Sequence, residues 1–207
     1  MLLKLEKISS SDLLFLIKQY KLENISFIKE IIYKTEYNSI KYYVIKYSES
    51  SYNLFNLNSN FFLNYEKDAE FNYHSNSSKP ELVFITDNVL ELLVYLSKYK
   101  NLLKNTFRIR STININKKFL ETTKENLAPL TTINVYFSDT RFKQIFTIKT
   151  IFVFNDRNLD ILFDGNQYIV SSKSDIRRKA LSFKYDSLNY VQIRKDFQCK
   201  KIIKILS

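Results

Sequence analysis

The sequence has almost no glycine, cysteine or histidine: each occurs once in 207 residues, and tryptophan is absent. A single glycine excludes the G-x-G-x-x-G dinucleotide turn and the G-x-x-x-x-G-K-[ST] phosphate loop, because both need several glycines. One histidine and one cysteine cannot complete a Cys/His zinc site or hold an iron–sulfur cluster. A lone cysteine forms no internal disulfide, so the sequence gives no indication of secretion.

The abundant residues have A/T-rich codons, and they set the charge of the chain. There are 25 lysines, and the formal net charge is +11. Such a charge is typical of a protein with a polyanionic partner, either RNA or an acidic membrane. Only seven of the 32 basic residues are arginine and the lysines are dispersed, which favours a solvated lysine-rich surface instead. No apolar run approaches the roughly 18 residues of a membrane-spanning helix.

The first residues predict a short helix. The cluster Ser9–Asp12 is typical of a helix start, with Asp12 or Ser11 as the cap, and the helix is expected to end near Tyr20. This segment has no arginine and contains Glu6 and Asp12, so it does not resemble a transit peptide.

The region from 27 to 79 is predicted as a hairpin followed by a loop-rich linker. Residues 27–47 are rich in Ile and Tyr and favour a β-hairpin in which Asn38 takes the turn conformation, with a helix over 27–35 as the alternative. Clusters of Ser and Asn over 48–79 indicate a loop-rich insertion. His74 lies in it and is interpreted as a solvated loop histidine.

Residues after Pro80 show clearer periodicity. They predict a strand over 81–85 and a helix over 88–99 capped by Asp87, with Val89, Leu92, Leu93 and Leu96 on one face. Further strands are predicted over the ranges 107–115, 132–137, 145–154 and 202–206, with polar residues over 116–130.

These patterns predict an α+β protein: a small mixed β-sheet packed with helices, followed by an extended C-terminal arm. The expected divisions are an N-terminal extension over 1–79, a core domain over 80–170 and the arm over 171–207. Asp160, Asp164 and Lys173 match a metal-dependent nuclease pattern only in part, because Ser171 occupies the position of a required glutamate. No catalytic residue, metal ligand or cofactor is therefore predicted.

Two tetrapeptides in the arm contain three of the seven arginines: Asp175-Ile176-Arg177-Arg178 and Arg194-Lys195-Asp196-Phe197. In an arginine-poor chain, arginine at these positions suggests that its planar guanidinium group is needed there. Residues i and i+2 of an extended chain share a face, so Arg194 and Asp196 would project together, opposite Phe197. A charged pair with an aromatic anchor is typical of protein interfaces.

These segments resemble the 30-kDa subunit family of respiratory complex I, NADH:ubiquinone oxidoreductase. LDILFDG at 159–165, SDIRR at 174–178 and RKDF at 194–197 occur in the family's order, and the Asp164-to-Asp175 spacing is similar to the family's. RFKQIFTIKT at 141–150 resembles a family strand, and residues 81–116 resemble the strand, helix and strand before it. The resemblance covers roughly residues 80–207.

The resemblance implies a structural core subunit of the peripheral arm, in the quinone module, without an active site or cofactor of its own. It would brace the 49-kDa subunit and neighbouring iron–sulfur subunits, on the matrix side of the mitochondrial inner membrane. Membrane association would come only through the complex, and no nucleic acid is expected. The A/T bias fits a gene in the organelle. The interface residues it implies are Asp164, Asp175, Arg177, Arg178, Arg194, Lys195, Asp196 and Phe197.

A basic RNA-binding protein, such as a mitochondrial ribosomal protein, is the alternative. It rests on the net charge of +11 and on the interleaved Tyr and Phe residues, which could stack on bases.

Overall fold

Helices and three β-sheets make up the part of the chain that the computed structural model describes. This part is residues 2–137 except 24, 65, 67, 77–78, 126 and 129, together with 143–154, 159–163, 167–172, 181–184 and 203–205. The helices are α1 (Ser10–Tyr20), α2 (Ile28–Ile31), α3 (Val89–Lys98), α4 (Lys117–Lys124) and α5 (Lys143–Phe154), with a 3₁₀ turn at Lys100–Lys104. The strands are β1 (Glu6–Lys7), β2 (Ile32–Tyr37), β3 (Ile40–Lys46), β4 (Tyr52–Phe55), β5 (Asn60–Leu63), β6 (Phe71–His74), β7 (Leu82–Thr86), β8 (Phe107–Ser111), β9 (Thr132–Tyr136), β10 (Leu159–Phe163), β11 (Gln167–Ser172), β12 (Leu181–Lys184) and β13 (Ile203–Ile205).

The first sheet is an antiparallel meander in the order β1-β2-β3-β4-β5. The predicted hairpin over 27–47 is confirmed as β2 and β3, with Glu36 opposite Lys41. Its turn residues Asn38 and Ser39 have φ of 52° and 60°, as a type I′ turn requires. The helix considered as the alternative over 27–35 is present only as the single turn α2, because the chain becomes extended at Ile32.

Helix α1 ends at Tyr20, as predicted, but its cap is Ser9 rather than Asp12 or Ser11. The Ser9 hydroxyl accepts from the Asp12 amide, and the Asp12 carboxylate accepts from the Ser9 amide. This reciprocal pair is a capping box.

The predicted loop over 48–79 is wrong, because this region supplies strands β4, β5 and β6. Each of these strands has only four residues. Residues 48–51 form the turn before β4, and residues 56–59 form the turn after it. His74 accordingly lies at the end of β6 and is exposed.

The second sheet is mixed, in the order β13-β9-β7-β8-β6. Strands β13, β9, β7 and β8 run parallel and β6 is antiparallel to β8. A strand at 202–206 is confirmed as β13, so the C-terminal segment returns to the core sheet. The third sheet is the antiparallel meander β10-β11-β12.

One prediction in the mixed-sheet region is wrong, because the predicted strand over 145–154 is helix α5. The polar stretch 116–130, for which no helix or strand was predicted, contains helix α4 with Asn116 as its N-cap. Strands β7 and β9 and helix α3 are confirmed, although Asn88 rather than Asp87 caps α3. Strand β8 ends at Ser111, earlier than predicted.

Helices cover both faces of the mixed sheet. On one face, α3 packs with Phe84 and Ile109 in a core that continues through α1 into the first sheet. On the other face, α4 and α5 pack against Val83, Ile85, Ile133 and Val135. The α+β expectation of a mixed sheet packed with helices is therefore confirmed.

Candidate functional site

The residues predicted from the sequence as an interface lie outside the described part of the chain. They are Asp164, Asp175, Arg177, Arg178, Arg194, Lys195, Asp196 and Phe197. The site described below comes instead from the first sheet and α1.

Asp12 is a buried carboxylate that joins α1 to the hairpin of β2 and β3. Its side chain is only 5% exposed, and Lys41 Nζ donates to its Oδ1 at 2.6 Å while Lys34 Nζ donates to its Oδ2 at 3.2 Å. The Tyr43 hydroxyl donates to Oδ1 at 3.4 Å, and the Ser9 hydroxyl donates to Oδ2 at 2.7 Å. We call Ser9, Asp12, Lys34, Lys41 and Tyr43 the Asp12 cluster.

Burial and hydrogen bonding to its partners shift the pKa of Asp12 in opposite directions. Burial alone would raise the pKa of Asp12, but hydrogen bonds from Lys41, Ser9 and Lys34 together hold that pKa well below its ordinary value. Asp12 is therefore ionised at neutral pH. Two lysines share one carboxylate, so the cluster carries one surplus positive charge.

The same carboxylate affects Tyr43. Burial and the nearby charge of Asp12 raise the pKa of Tyr43 to about 12. The Tyr43 hydroxyl thus remains a proton donor toward Asp12 at neutral pH, and it helps to hold the carboxylate in place.

Two cavities adjoin the Asp12 cluster and share Lys41 in their walls. The first, which we call the Lys41 cavity, has a volume of about 440 Å³ and is lined by Ser11, Asp12, Phe15, Lys41, Tyr43, Asn56, Leu57 and Asn58. The second has a volume of about 510 Å³ and is lined by Lys4, Glu6, Lys34, Thr35, Glu36 and Lys41. Both are open to solvent over much of their surface.

The carboxyl ends of the parallel strands form a second polar region. α3 follows β7 and packs on one face of the sheet, and α5 follows β9 and packs on the other face. Glu91 lies there, and its pKa is raised by burial and by the charge of Asp87. Tyr47, which directly follows β3, reaches this edge, where its hydroxyl lies 3.1 Å from Ser111 Oγ.

An arginine pair on β8 forms a third polar region. Arg110 is buried, pairs with Glu70, donates to Thr122 Oγ1 at 3.2 Å and lies over the Phe119 ring. Arg108 donates through Nε to Asn72 Oδ1 at 2.9 Å. Burial and the charge of Arg110 lower the pKa of Arg108 to about 10, so both guanidinium groups stay charged at neutral pH. Glu70 balances only one of them by direct contact.

Metal binding and membrane spanning receive no structural support in the described residues. They contain no group of three His, Cys, Asp or Glu side chains placed to hold a metal ion. None of their helices combines the length and apolar character needed to cross a membrane.

The Asp12 cluster was not predicted from the sequence. Asp12 was predicted only as a candidate helix cap, and Lys34 and Lys41 fall within the predicted hairpin over 27–47. These lysines lie 22 and 29 positions from Asp12, so no local spacing predicts their contact with it.

No model of a known protein family matches this chain, and no curated protein matches it. Among solved structures, the chain is similar to the primase fragment of the bacteriophage T7 primase-helicase protein, with a TM-score of 0.41 and 12% sequence identity. That match covers 59% of this chain and 52% of the fragment. The chain thus aligns with about half the length of that fragment.

Proposed function

We propose that this chain is a non-catalytic structural core subunit of the peripheral arm of respiratory complex I, in the quinone module. It would brace the 49-kDa subunit and neighbouring iron–sulfur subunits and so support electron transfer from NADH to ubiquinone. The observation that carries this proposal is the order of DIRR at 175–178 and RKDF at 194–197 after an α+β core. One observation weighs against part of the resemblance: the segment 141–150 was compared with a family strand, but its residues 143–150 belong to helix α5.

The arginines of the two tetrapeptides test this proposal. Removing one partner of a buried ion pair typically costs about 3–5 kcal/mol. We therefore expect Arg177→Ala or Arg194→Ala to lower the amount of assembled complex without changing turnover in the complex that remains. Native gels stained for NADH oxidation, with equal loading of membranes, measure both quantities. Arg157→Ala is the matched control, because it removes an arginine outside both tetrapeptides. Normal assembly in both test variants would contradict the proposal.

An RNA-binding ribosomal protein remains the second candidate, and it rests on the net charge of +11 and on a local excess of basic residues. Between residues 98 and 154 there are eleven Lys or Arg residues and three Asp or Glu residues. Four of these lysines belong to helices α4 and α5, which pack on the same face of the mixed sheet: Lys117, Lys118, Lys124 and Lys149. Recovery of the chain with RNA, with an affinity that falls steeply as salt rises, would favour this candidate. Salt-independent recovery in a respiratory complex would exclude it.

A further inference from the structure

The C-terminal end of α3 carries an exposed aromatic ring between two exposed lysines, and neither proposal above uses this surface. We propose that it binds single-stranded nucleic acid, with one base stacked on Tyr99 and the phosphates on Lys98 and Lys104. This goes beyond the family resemblance, which implies no nucleic-acid partner, and it does not depend on assembly into complex I. It also differs from the RNA-binding candidate above, which relies on α4 and α5 on the opposite face of the mixed sheet.

Three tyrosines form a continuous aromatic array on the α3 side of the sheet. Tyr95 and Tyr99 are four residues apart, so they lie on neighbouring turns, with ring centroids 4.5 Å apart and an interplanar angle of 33°. Tyr95 also contacts Tyr136 of β9, with ring centroids 5.2 Å apart, and is therefore covered by a ring on two sides. Tyr99 ends the array and is 48% exposed, so its ring presents surface on which a base can stack.

The backbone around Tyr99 is held at both of its polar groups. The Tyr99 amide donates to the Leu96 carbonyl at 3.1 Å, and the Tyr99 carbonyl accepts from the Leu102 amide at 3.0 Å. These bonds join the end of α3 to the 3₁₀ turn at Lys100–Lys104. Together with the contact to Tyr95, they restrict the ring before a ligand binds, which reduces the entropy lost on binding.

The positive charge beside this ring is not balanced by acids. Residues 92–120 contain seven Lys or Arg residues and no Asp or Glu. Lys98 and Lys104 are exposed, and neither forms an ion pair within the described residues. A third exposed cation comes from the end of α1, because Ser97 Oγ donates to the Lys21 carbonyl at 2.7 Å. Such a group of lysines suits the phosphates of a nucleic acid.

The acids on this side of the sheet indicate where the strand lies. Asp87 and Glu91 are at the start of α3, and burial together with the charges of Glu91 and Asp87 raises the pKa of Tyr136. Phosphates are repelled from that end of the array, which leaves Tyr99, at the other end of α3, as the stacking surface. Glu23 is exposed and, in the part of the chain that the structure describes, pairs with no lysine.

Single-stranded nucleic acid fits this combination better than other polyanions. Its unpaired bases stack on aromatic side chains while its phosphates contact lysine. A duplex keeps the faces of its bases inside the helix, and an acidic polypeptide supplies charge without a base to stack. Lysine contacts to phosphate carry no sequence information, so we expect binding with little sequence preference. DNA and RNA present the same groups to this surface, and both serve as probes.

Fluorescence anisotropy with the full-length chain tests the proposal. The probes are a labelled twelve-nucleotide oligothymidylate and a labelled twelve-nucleotide oligouridylate. The expected dissociation constant is on the order of 1 to 100 μM at about 0.1 M salt. An abasic strand of the same length keeps the phosphates but has no bases, so it should bind about tenfold more weakly. Failure of both oligonucleotides to bind, or equally tight binding of the abasic strand, would overturn the proposal.

Substitutions of Tyr99 locate the stacked base. Tyr99→Leu should weaken binding of the base-containing strands about tenfold and leave the abasic strand unaffected. Tyr99→Phe keeps the stacking face and should retain binding. Tyr37→Leu is the matched control, because Tyr37 is a half-exposed tyrosine of the first sheet. Urea unfolding establishes that each variant is folded. Equal loss of binding in Tyr99→Leu and Tyr37→Leu would refute the placement of the base on Tyr99.

Substitutions of the lysines locate the phosphates. Lys98→Gln combined with Lys104→Gln should lower the slope of log K against log salt by about 1.4, since each lost phosphate contact of a single strand contributes about 0.7. Lys117→Gln combined with Lys118→Gln is the control, because it removes two lysines from α4 and should leave the slope unchanged. An equal or larger effect of the α4 pair would place the strand on α4 and contradict the proposal.

Discussion

At the scale of single residues, Asp12 shows why a carboxylate can be buried at the junction of a helix and a sheet. A buried carboxylate needs both charge pairing and hydrogen bonds. Asp12 has ion pairs to Lys34 and Lys41 and hydrogen bonds from Ser9. One side chain thus completes the capping box of α1 and fixes α1 on the β2–β3 hairpin.

Asp12→Asn is expected to lower the free energy of unfolding by about 1–3 kcal/mol at pH 7, since two lysines lose their shared counter-charge. The pKa of Asp12 is lowered in the folded state, so its stabilisation is present above its unfolded pKa of about 4 and is lost as the pH falls toward the folded value. The difference in the free energy of unfolding between wild type and Asp12→Asn should therefore shrink as the pH falls from about 5 toward 2. Urea unfolding at each pH measures this difference.

Glu23→Gln serves as the control for that series, because Glu23 is exposed. Its stability should follow that of the wild-type chain at every pH. A gap between wild type and Asp12→Asn that stays constant down to pH 2 would contradict the assigned role of Asp12.

At the scale of elements, the β2–β3 turn shows the effect of scarce glycine. Asn38 and Ser39 both have positive φ, a region that glycine tolerates best and asparagine tolerates better than most residues. Serine at the second position is the less favourable of the two, because type I′ turns prefer Asn-Gly.

Ser39→Gly is accordingly expected to stabilise the chain by about 0.5–1 kcal/mol, because it relieves the left-handed strain at this position. Thermal and urea unfolding measure the change. Ser26→Gly is the matched control: Ser26 is an exposed turn residue without positive φ, so glycine there should destabilise slightly. Equal effects of the two substitutions would contradict the strain argument.

A helix or strand could be predicted from the sequence only where the local pattern of residues decides its structure. Helix α3 was predictable because Val89, Leu92, Leu93 and Leu96 mark one helical face, and all four are buried. Helix α5 was not, because KQIFTIKTIFVF is rich in β-branched and aromatic residues that favour strands. Phe146, Ile151 and Phe154 nevertheless fall on one side of a helix and pack with α4 against the sheet, so burial outweighs propensity there.

At the scale of the whole molecule, the first sheet and the mixed sheet share one apolar core. Leu16 of α1, Phe55 of β4 and Phe84 of β7 belong to the same buried cluster. Tyr47 extends this core to the carboxyl edge of the mixed sheet through its contact with Ser111, and burial raises the pKa of Tyr47. The two sheets should therefore unfold together.

Tyr47→Phe tests this coupling. Losing the hydroxyl leaves the buried Ser111 without its partner across the sheets, and we expect a cost of about 1–2 kcal/mol. Hydrogen exchange should show that amides of both sheets lose protection to the same extent. Tyr37→Phe, on a half-exposed tyrosine of β2, is the control and should have little effect. Loss of protection confined to one sheet would contradict a shared core.

The sequence alone determined what its scarce residues exclude, the β2–β3 hairpin and the amphipathic helix α3, because these depend on composition and on spacings of a few residues. It also provided the DIRR and RKDF motifs on which the proposed function rests. Only the tertiary structure decided that residues 52–74 supply strands, that 143–154 is a helix, and that Asp12 meets Lys34 and Lys41. Strand pairing, burial and ion pairing between distant residues contribute free energies comparable to those of local conformational preferences. No local sequence pattern predicts these long-range interactions.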